Sequence, residues 1–382
     1  MSDSHDPLPL QWQPLTRREL VGAGLAAAGA LLARRLGAQQ DPAPGTGGLV
    51  LRNARALDAE APLSALASYV TAPEHFFVRS HFGPPARLPR PWTLTIDGSV
   101  RRPLTLSIDE LRAMGAETRT VTLECAGNGR GAFGLPKTSG LQWQRGAVSN
   151  ATWTGVPLGA VLERAGLGAD AAHLWMEALD RAALGTVPKF LRSIPREVGL
   201  GDALIAYGMN GGAIPLLHGG PLRLIVPGWY GMTSTKWLTH IHARPQESDN
   251  HFMVRSYRYA DGTPVRTNLV KSVIATPGDG QRVRAGRLTM RGQAWTGAGS
   301  GGVRGVDVSL DGGRSWRPAR LVEPDRPGAW RTWESDVDAR PGSLTLMARA
   351  TDGAGRVQPI AAPRDAAGYG NNSIHQVRLD VA

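Results

Sequence analysis

A single cysteine, Cys125, serves the whole 382-residue chain. No internal disulfide can form, and no multi-cysteine metal site can be built. The chain is long enough, at 42% hydrophobic residues, for two domains with a core each. The cysteine closes a β-type run, Thr120-Val121-Thr122-Leu123, and opens a turn-forming Ala126-Gly127-Asn128-Gly129 segment before Arg130. A strand running into such a turn holds one side chain at the floor of a site.

Two textures divide the rest. Residues 69–250 mix strand-like runs (Trp92 to Ile96, Thr120 to Leu123, Leu222 to Val226) with helix-like ones (Ser107 to Met114, Leu158 to Ala165), which predicts an α+β domain. From 271 to 382 short alternating strands follow one another. Val306, Val308 and Leu310 share a face before the turn signal Asp311-Gly312, and the pattern recurs at Leu344 to Ala348 and Val377 to Val381. This predicts an all-β sandwich of immunoglobulin type. Residues 39–68, rich in Ala, Pro and Gly, read as a linker, and 251–270 as a connecting segment. The Gly-rich stretch 297–302 lacks the lysine and helix of a phosphate loop and reads as a hairpin connection.

The formal charge is +11, and only four of the 43 basic residues are lysines. The arginines are scattered without a dense basic stripe, which argues against nucleic-acid binding. Thr16-Arg17-Arg18-Glu19-Leu20 stands before an apolar stretch from Val21 to Ala33. The pattern resembles a twin-arginine export signal over residues 1–38, implying a periplasmic protein with no membrane span in its mature form. His240 and His242, two apart on a strand, have no third ligand signalled nearby and read as a polar sheet face rather than a zinc site.

The segment around Cys125 resembles the cysteine motif of the sulfite oxidase family of molybdenum enzymes, and Val308 to Trp316 resembles that family's C-terminal dimerisation domain. The resemblance implies a molybdopterin-binding catalytic domain of sulfite oxidase fold, a homodimer, and Cys125 as ligand to molybdenum. A soft thiolate suits a metal that cycles between oxidation states. It further implies that Phe77, Val78, Arg79, Ser80 and His81, then Asp180, His218, Arg223, Ser234, Thr235 and Lys236, contact the pterin. Arg79, Arg130 and Trp143 would line the substrate pocket, and Tyr257 would relay protons. The implied reaction oxidises sulfite to sulfate. With one cysteine the chain cannot form a Cys-x-x-Cys-His haem site, so electrons would leave to a separate acceptor, a c-type cytochrome. The sulfite-oxidising members place a further arginine before the last strand, where this chain has Ala366 to Ser373 and, at three residues' distance, Arg364. Two other readings follow: a sulfane-sulfur dehydrogenase working with a cytochrome subunit, and a non-catalytic scaffold that keeps the fold.

Overall fold

The computed structural model describes residues 48–382 except 55, 183, 184 and 186. The export signal expected over 1–38 lies outside the described residues. Among the described residues no helix is long and apolar enough to cross a membrane.

Two five-stranded sheets build the catalytic domain. One runs Leu104–Ser107, Thr93–Gly98, Leu238–Arg244, His173–Ala178, Leu191–Pro195, with the pair Leu238–Arg244 and Thr93–Gly98 parallel. The other runs Glu117–Glu124, Val148–Pro157, Leu204–Met209, Gly212–Ala213, with Arg223–Ile225 also paired to Leu204–Met209. Alternation decides which faces meet. Leu94 and Ile96 from one sheet, and Val156, Ile205 and Leu224 from the other, are buried in one core with Leu158, Val161, Leu162 and Ala165 of the helix Leu158–Ala165. The helix Ile108–Ala113 starts on a capping box: Ser107 Oγ accepts from the Glu110 amide, and the Glu110 carboxylate accepts from the Ser107 amide at 2.8 Å.

A four-stranded sheet (Lys271–Thr276, Gly286–Trp295, Arg331–Ala339, Arg320–Leu321) faces a five-stranded one (Arg282–Val283, His375–Val381, Gly342–Asp352, Val303–Ser309, Arg317–Pro318). Val306, Val308, Leu346, Ala348, Val377 and Leu379, the inward residues of the alternating runs, fill the core between them. The Asp311 turn does join paired strands: its carboxylate accepts from the Arg314 and Ser315 amides at 3.0 Å each.

Two expectations fail here. Residues 297–302 are not a hairpin connection, since Gly286–Trp295 and Val303–Ser309 belong to different sheets and the glycines carry the chain across the sandwich. The stretch taken as a linker holds an antiparallel pair, Val50–Asn53 with Asp58–Glu60, and a 3-10 turn, Leu63–Ala67. Asp58 and Glu60 are buried, 0% and 2% exposed, because each carboxylate accepts hydrogen bonds from the catalytic domain: Asp58 from the Ser80 amide at 3.1 Å, Glu60 from the Gln144 and Gly146 amides at 3.0 and 3.1 Å.

Candidate active site

Strand Glu117–Glu124 delivers Cys125 to the floor of a cleft. The turn behind it is fixed from both ends: the Cys125 amide donates to Ala147 O and the Asn128 amide to Cys125 O, at 2.9 and 2.8 Å. Asn128 also donates to Glu124 Oε1 at 3.0 Å and accepts from the Ala147 amide at 3.1 Å. Glu124, fully buried, is paired with Lys271 of the sandwich at 2.5 Å and accepts from the Trp295 indole at 2.8 Å. Nothing in the local pattern announced this inter-domain clamp. Burial lifts the thiol pKa of Cys125, against the opposing pull of Arg79 and Arg130.

Arg79, His81, Asp180, His218, Arg223, Ser234, Thr235, Lys236, Phe77, Ser80 and Tyr257 line the same cleft as Cys125. Val78 is buried against Leu49 and Ala59 instead, pairing its backbone with Ala59 in an isolated bridge. Arg79 pairs with Asp58 at 3.3 Å and also donates to Ser80 O. His81 Nε2 lies 2.7 Å from the Tyr257 hydroxyl. Tyr257 has φ +58°, a strained value for an aromatic residue. Its amide is 3.4 Å from the Tyr369 hydroxyl, and the guanidinium of Arg192 lies 5.1 Å from its ring centre. Arg192 was invisible to motif reading: it sits in an unremarkable strand, and only folding brings it to the tyrosine.

Arg130 and Trp143 are placed differently. The Arg130 guanidinium donates to Gly368 O and Leu141 O, at 2.9 and 3.1 Å, and lies 5.2 Å from the Tyr369 ring centre. A Cβ on Gly127, Gly140 or Gly368 would come within 2.8, 2.6 and 2.6 Å of it, so three glycines form its cage. It acts on Cys125 electrostatically, from behind the wall. Trp143 is 1% exposed, packed in the apolar cluster of Phe76, Phe77 and Leu123, and is not part of the wall. Arg364 does not replace the missing arginine. It is bound to the carbonyls of Phe133, Leu135 and Pro136, while Tyr369 faces Tyr257 at 5.7 Å between ring centres.

Residues 81–252 match the oxidoreductase molybdopterin-binding domain and residues 265–382 the Mo-co oxidoreductase dimerisation domain. The chain belongs to the sulfite oxidase family of molybdopterin oxidoreductases. It is 35% identical to the mitochondrial sulfite oxidase of Macaca fascicularis over 87% of its own length and 66% of that protein's, just under two thirds. It is 37% identical to the sulfite oxidase of Gallus gallus, over 82% of this chain and 73% of that one. Among solved structures, the sulfane dehydrogenase SoxCD from Paracoccus pantotrophus superposes with a TM-score of 0.77 at 29% identity, covering 89% of this chain and 87% of that one.

The cleft is built for an anionic cofactor. Arg223 is 4% exposed, yet it donates only to the carbonyls of His218, Ser234 and Leu224, at 2.6, 2.9 and 3.5 Å, and Lys236 donates to Leu217 O at 3.0 Å. Among the described residues neither has a carboxylate within ion-pair distance. Burial brings Arg223 down to about 9 and Lys236, with Arg223 beside it, to about 7. Arg223, a buried cation with no carboxylate partner, is costly unless a ligand brings the charge, while half-buried Lys236 has only the longer-range pull of Asp180 and Asp58. Thr235 Oγ1 is buried without a partner, and Asp180, raised to about 6 by burial, faces the same space. The phosphate and ring of a molybdopterin match these groups: an anion for Arg223, Lys236 and Thr235, and ring donors for Asp180. His218 is held elsewhere, its Nε2 2.8 Å from Pro73 O and its ring 5.1 Å from Phe76. Ser234 Oγ accepts from the Val226 amide at 3.0 Å, which leaves its O–H free to donate into the cleft. Glu177 pairs with Arg181, Lys189 and His242, at 2.8, 2.5 and 3.5 Å, and His242 also reaches Asp97 at 2.6 Å, so the polar sheet face is an ion-pair network.

Proposed function

We propose that this chain oxidises sulfite to sulfate and passes the electrons to a separate acceptor, a c-type cytochrome. The observation that carries the reading is the convergence of the Cys125 thiol, the Arg79 guanidinium and the Tyr257 hydroxyl on one cleft. Bound at Cys125, molybdopterin molybdenum would supply the two-electron oxidation and the oxygen transfer. The chain's own residues do the rest. Arg79, pinned by Asp58, offers fixed positive charge to a dianion, and its donors need no reorganisation when substrate arrives. Tyr257 holds a hydroxyl against the bound oxyanion and moves a proton as charge leaves. Arg223 and Lys236 neutralise the cofactor phosphate, and Asp180 binds its ring.

Sulfane-sulfur oxidation is the second reading. It is favoured by the absence of an arginine at 366–373, by Arg364 being engaged elsewhere, by apolar Phe190 and Met232 on the cleft wall, and by the likeness to the sulfane dehydrogenase. Sulfite-dependent reduction of added cytochrome c by metal-loaded protein separates the two. Turnover at micromolar sulfite supports the first; metal-loaded protein that gives electrons only with a sulfane donor supports the second. Export by the twin-arginine route, and a homodimer through the dimerisation domain, complete the proposal. Arg17→Lys with Arg18→Lys should leave the protein in the cytoplasm, and sedimentation should find two chains per particle. Molybdenum-free protein from cells able to make the cofactor would revive the scaffold reading.

A further inference from the structure

Arg79, Arg223 and Lys236 are the cations that line the cleft, and they are not treated alike. Among the described residues Arg223 and Lys236 have no carboxylate within ion-pair distance, whereas Arg79 has Asp58 at 3.3 Å. The Asp58 side chain is 1% exposed, and three donors meet its oxygens: Arg79 Nη1, the Ser80 amide at 3.1 Å and Asn53 Nδ2 at 3.1 Å. The strand that carries it is fixed on both sides. Ala59 and Val78 exchange backbone hydrogen bonds at 2.9 and 2.8 Å, and Asp58–Glu60 pairs with Val50–Asn53. Asp58 also opposes the pull of Arg79 and Arg130 on the Cys125 thiol, so its field reaches the floor of the cleft. Arg130 and Arg192 stand behind the wall, donating to carbonyls.

A cation with no carboxylate beside it holds an anion tightly, which suits a resident cofactor. A cation already offset by a fixed negative charge holds one loosely, which suits a ligand that must leave. Sulfite and sulfate are both dianions, so the arginine that draws in the first also retains the second, and binding both equally does not speed the chemical step. We propose that Asp58 is a specificity-determining residue: its buried carboxylate offsets the Arg79 charge, weakens the cleft's hold on dianions above all other anions, and lets the product leave. The proposal rests on the oxidation of a sulfur oxyanion in this cleft, but its charge arm can be tested by binding, without turnover.

The test is calorimetric titration of full-length, oxidised holoenzyme at neutral pH and fixed low ionic strength. The probes are sulfate and perchlorate, the second having the same tetrahedral shape and half the charge. Coulomb energy is proportional to ligand charge, so removing one negative charge from the wall acts twice as strongly on the dianion, on a logarithmic scale. Asp58→Asn, whose carbonyl can still accept from the Ser80 amide, should tighten sulfate about tenfold and perchlorate about threefold. Sulfate affinity that is unchanged or weaker overturns the proposal. An equal change for the two anions also overturns it, since a residue that only shapes the wall would move both alike. If neither wild type nor variant binds sulfate, the proposal falls as well. If Asp58→Asn alone fails to fold, the substitution is made together with Arg79→Gln, which replaces the ion pair by two amides. The double variant should bind sulfate about tenfold more tightly than Arg79→Gln alone, and no gain overturns the proposal. A wild-type enzyme inert to sulfite, with tighter sulfate binding in Asp58→Asn, would sink the substrate assignment while leaving the charge role of Asp58 standing.

Discussion

Replacing Lys271 by methionine should do more harm than any surface charge change, because Lys271 and Glu124 are 2% and 0% exposed and 2.5 Å apart. Losing one member of a buried pair leaves an uncompensated charge, at a cost of ~3–5 kcal/mol. Glu124 keeps two donors, Asn128 Nδ2 at 3.0 Å and Trp295 Nε1 at 2.8 Å, which places the loss toward the lower end, about 3 kcal/mol. At roughly 2–4 °C per kcal/mol, the midpoint of thermal unfolding falls by about 6–12 °C. The pair joins strand Lys271–Thr276 of the sandwich to the residue before the cysteine, so calorimetry of full-length protein should also show one transition becoming two. Adding Glu124→Gln removes the stranded charge and should restore at least half the loss, since neutral replacements of both partners are tolerated better than half a pair. A single variant within about 1 kcal/mol of wild type, or a double variant less stable than the single, would refute the reasoning.

Cys125→Ser should abolish sulfite turnover while circular dichroism stays native; near-normal activity in the variant would remove the ligand assignment. Arg79→Gln should raise KM for sulfite about 10- to 100-fold, the worth of a charge-assisted hydrogen bond, with a smaller change in kcat. An unchanged KM would take Arg79 out of the substrate site. Lys236, at about 7 in the folded, cofactor-free chain against 10.5 for an exposed lysine, binds fewer protons folded than unfolded between those values. Stability of cofactor-free protein should therefore rise with pH from about 7 to 10.5, and Lys236→Met should flatten that rise, stabilise the cofactor-free form at pH 7 and weaken cofactor retention. A pH profile identical in the variant would refute the burial argument.

The sequence alone determined the two textures and the motif. Period-two alternation at Val306 to Leu310 and Val377 to Val381 is a local property, as is the capping box at Ser107 and Glu110, and local steric and hydrogen-bonding rules act within a few residues. The turn after Thr120 to Leu123 placed Cys125 at a cleft floor for the same reason. What tertiary structure decided is everything that depends on partners far apart in the chain. Asp58 lay in a stretch that composition reads as linker, yet folding buries it against Arg79, and burial makes its charge matter. Trp143 and Arg130 carry residue types fit for a pocket wall, but packing against Phe76 and Phe77 takes one inward, and carbonyls contributed by residues 141 and 368 claim the other. Gly368 is 238 residues from Arg130. Sequence spacing cannot show which donor meets which acceptor over that separation; only the closed chain, with the sandwich against the cysteine turn, assigns each buried charge its counterpart or leaves it for the cofactor.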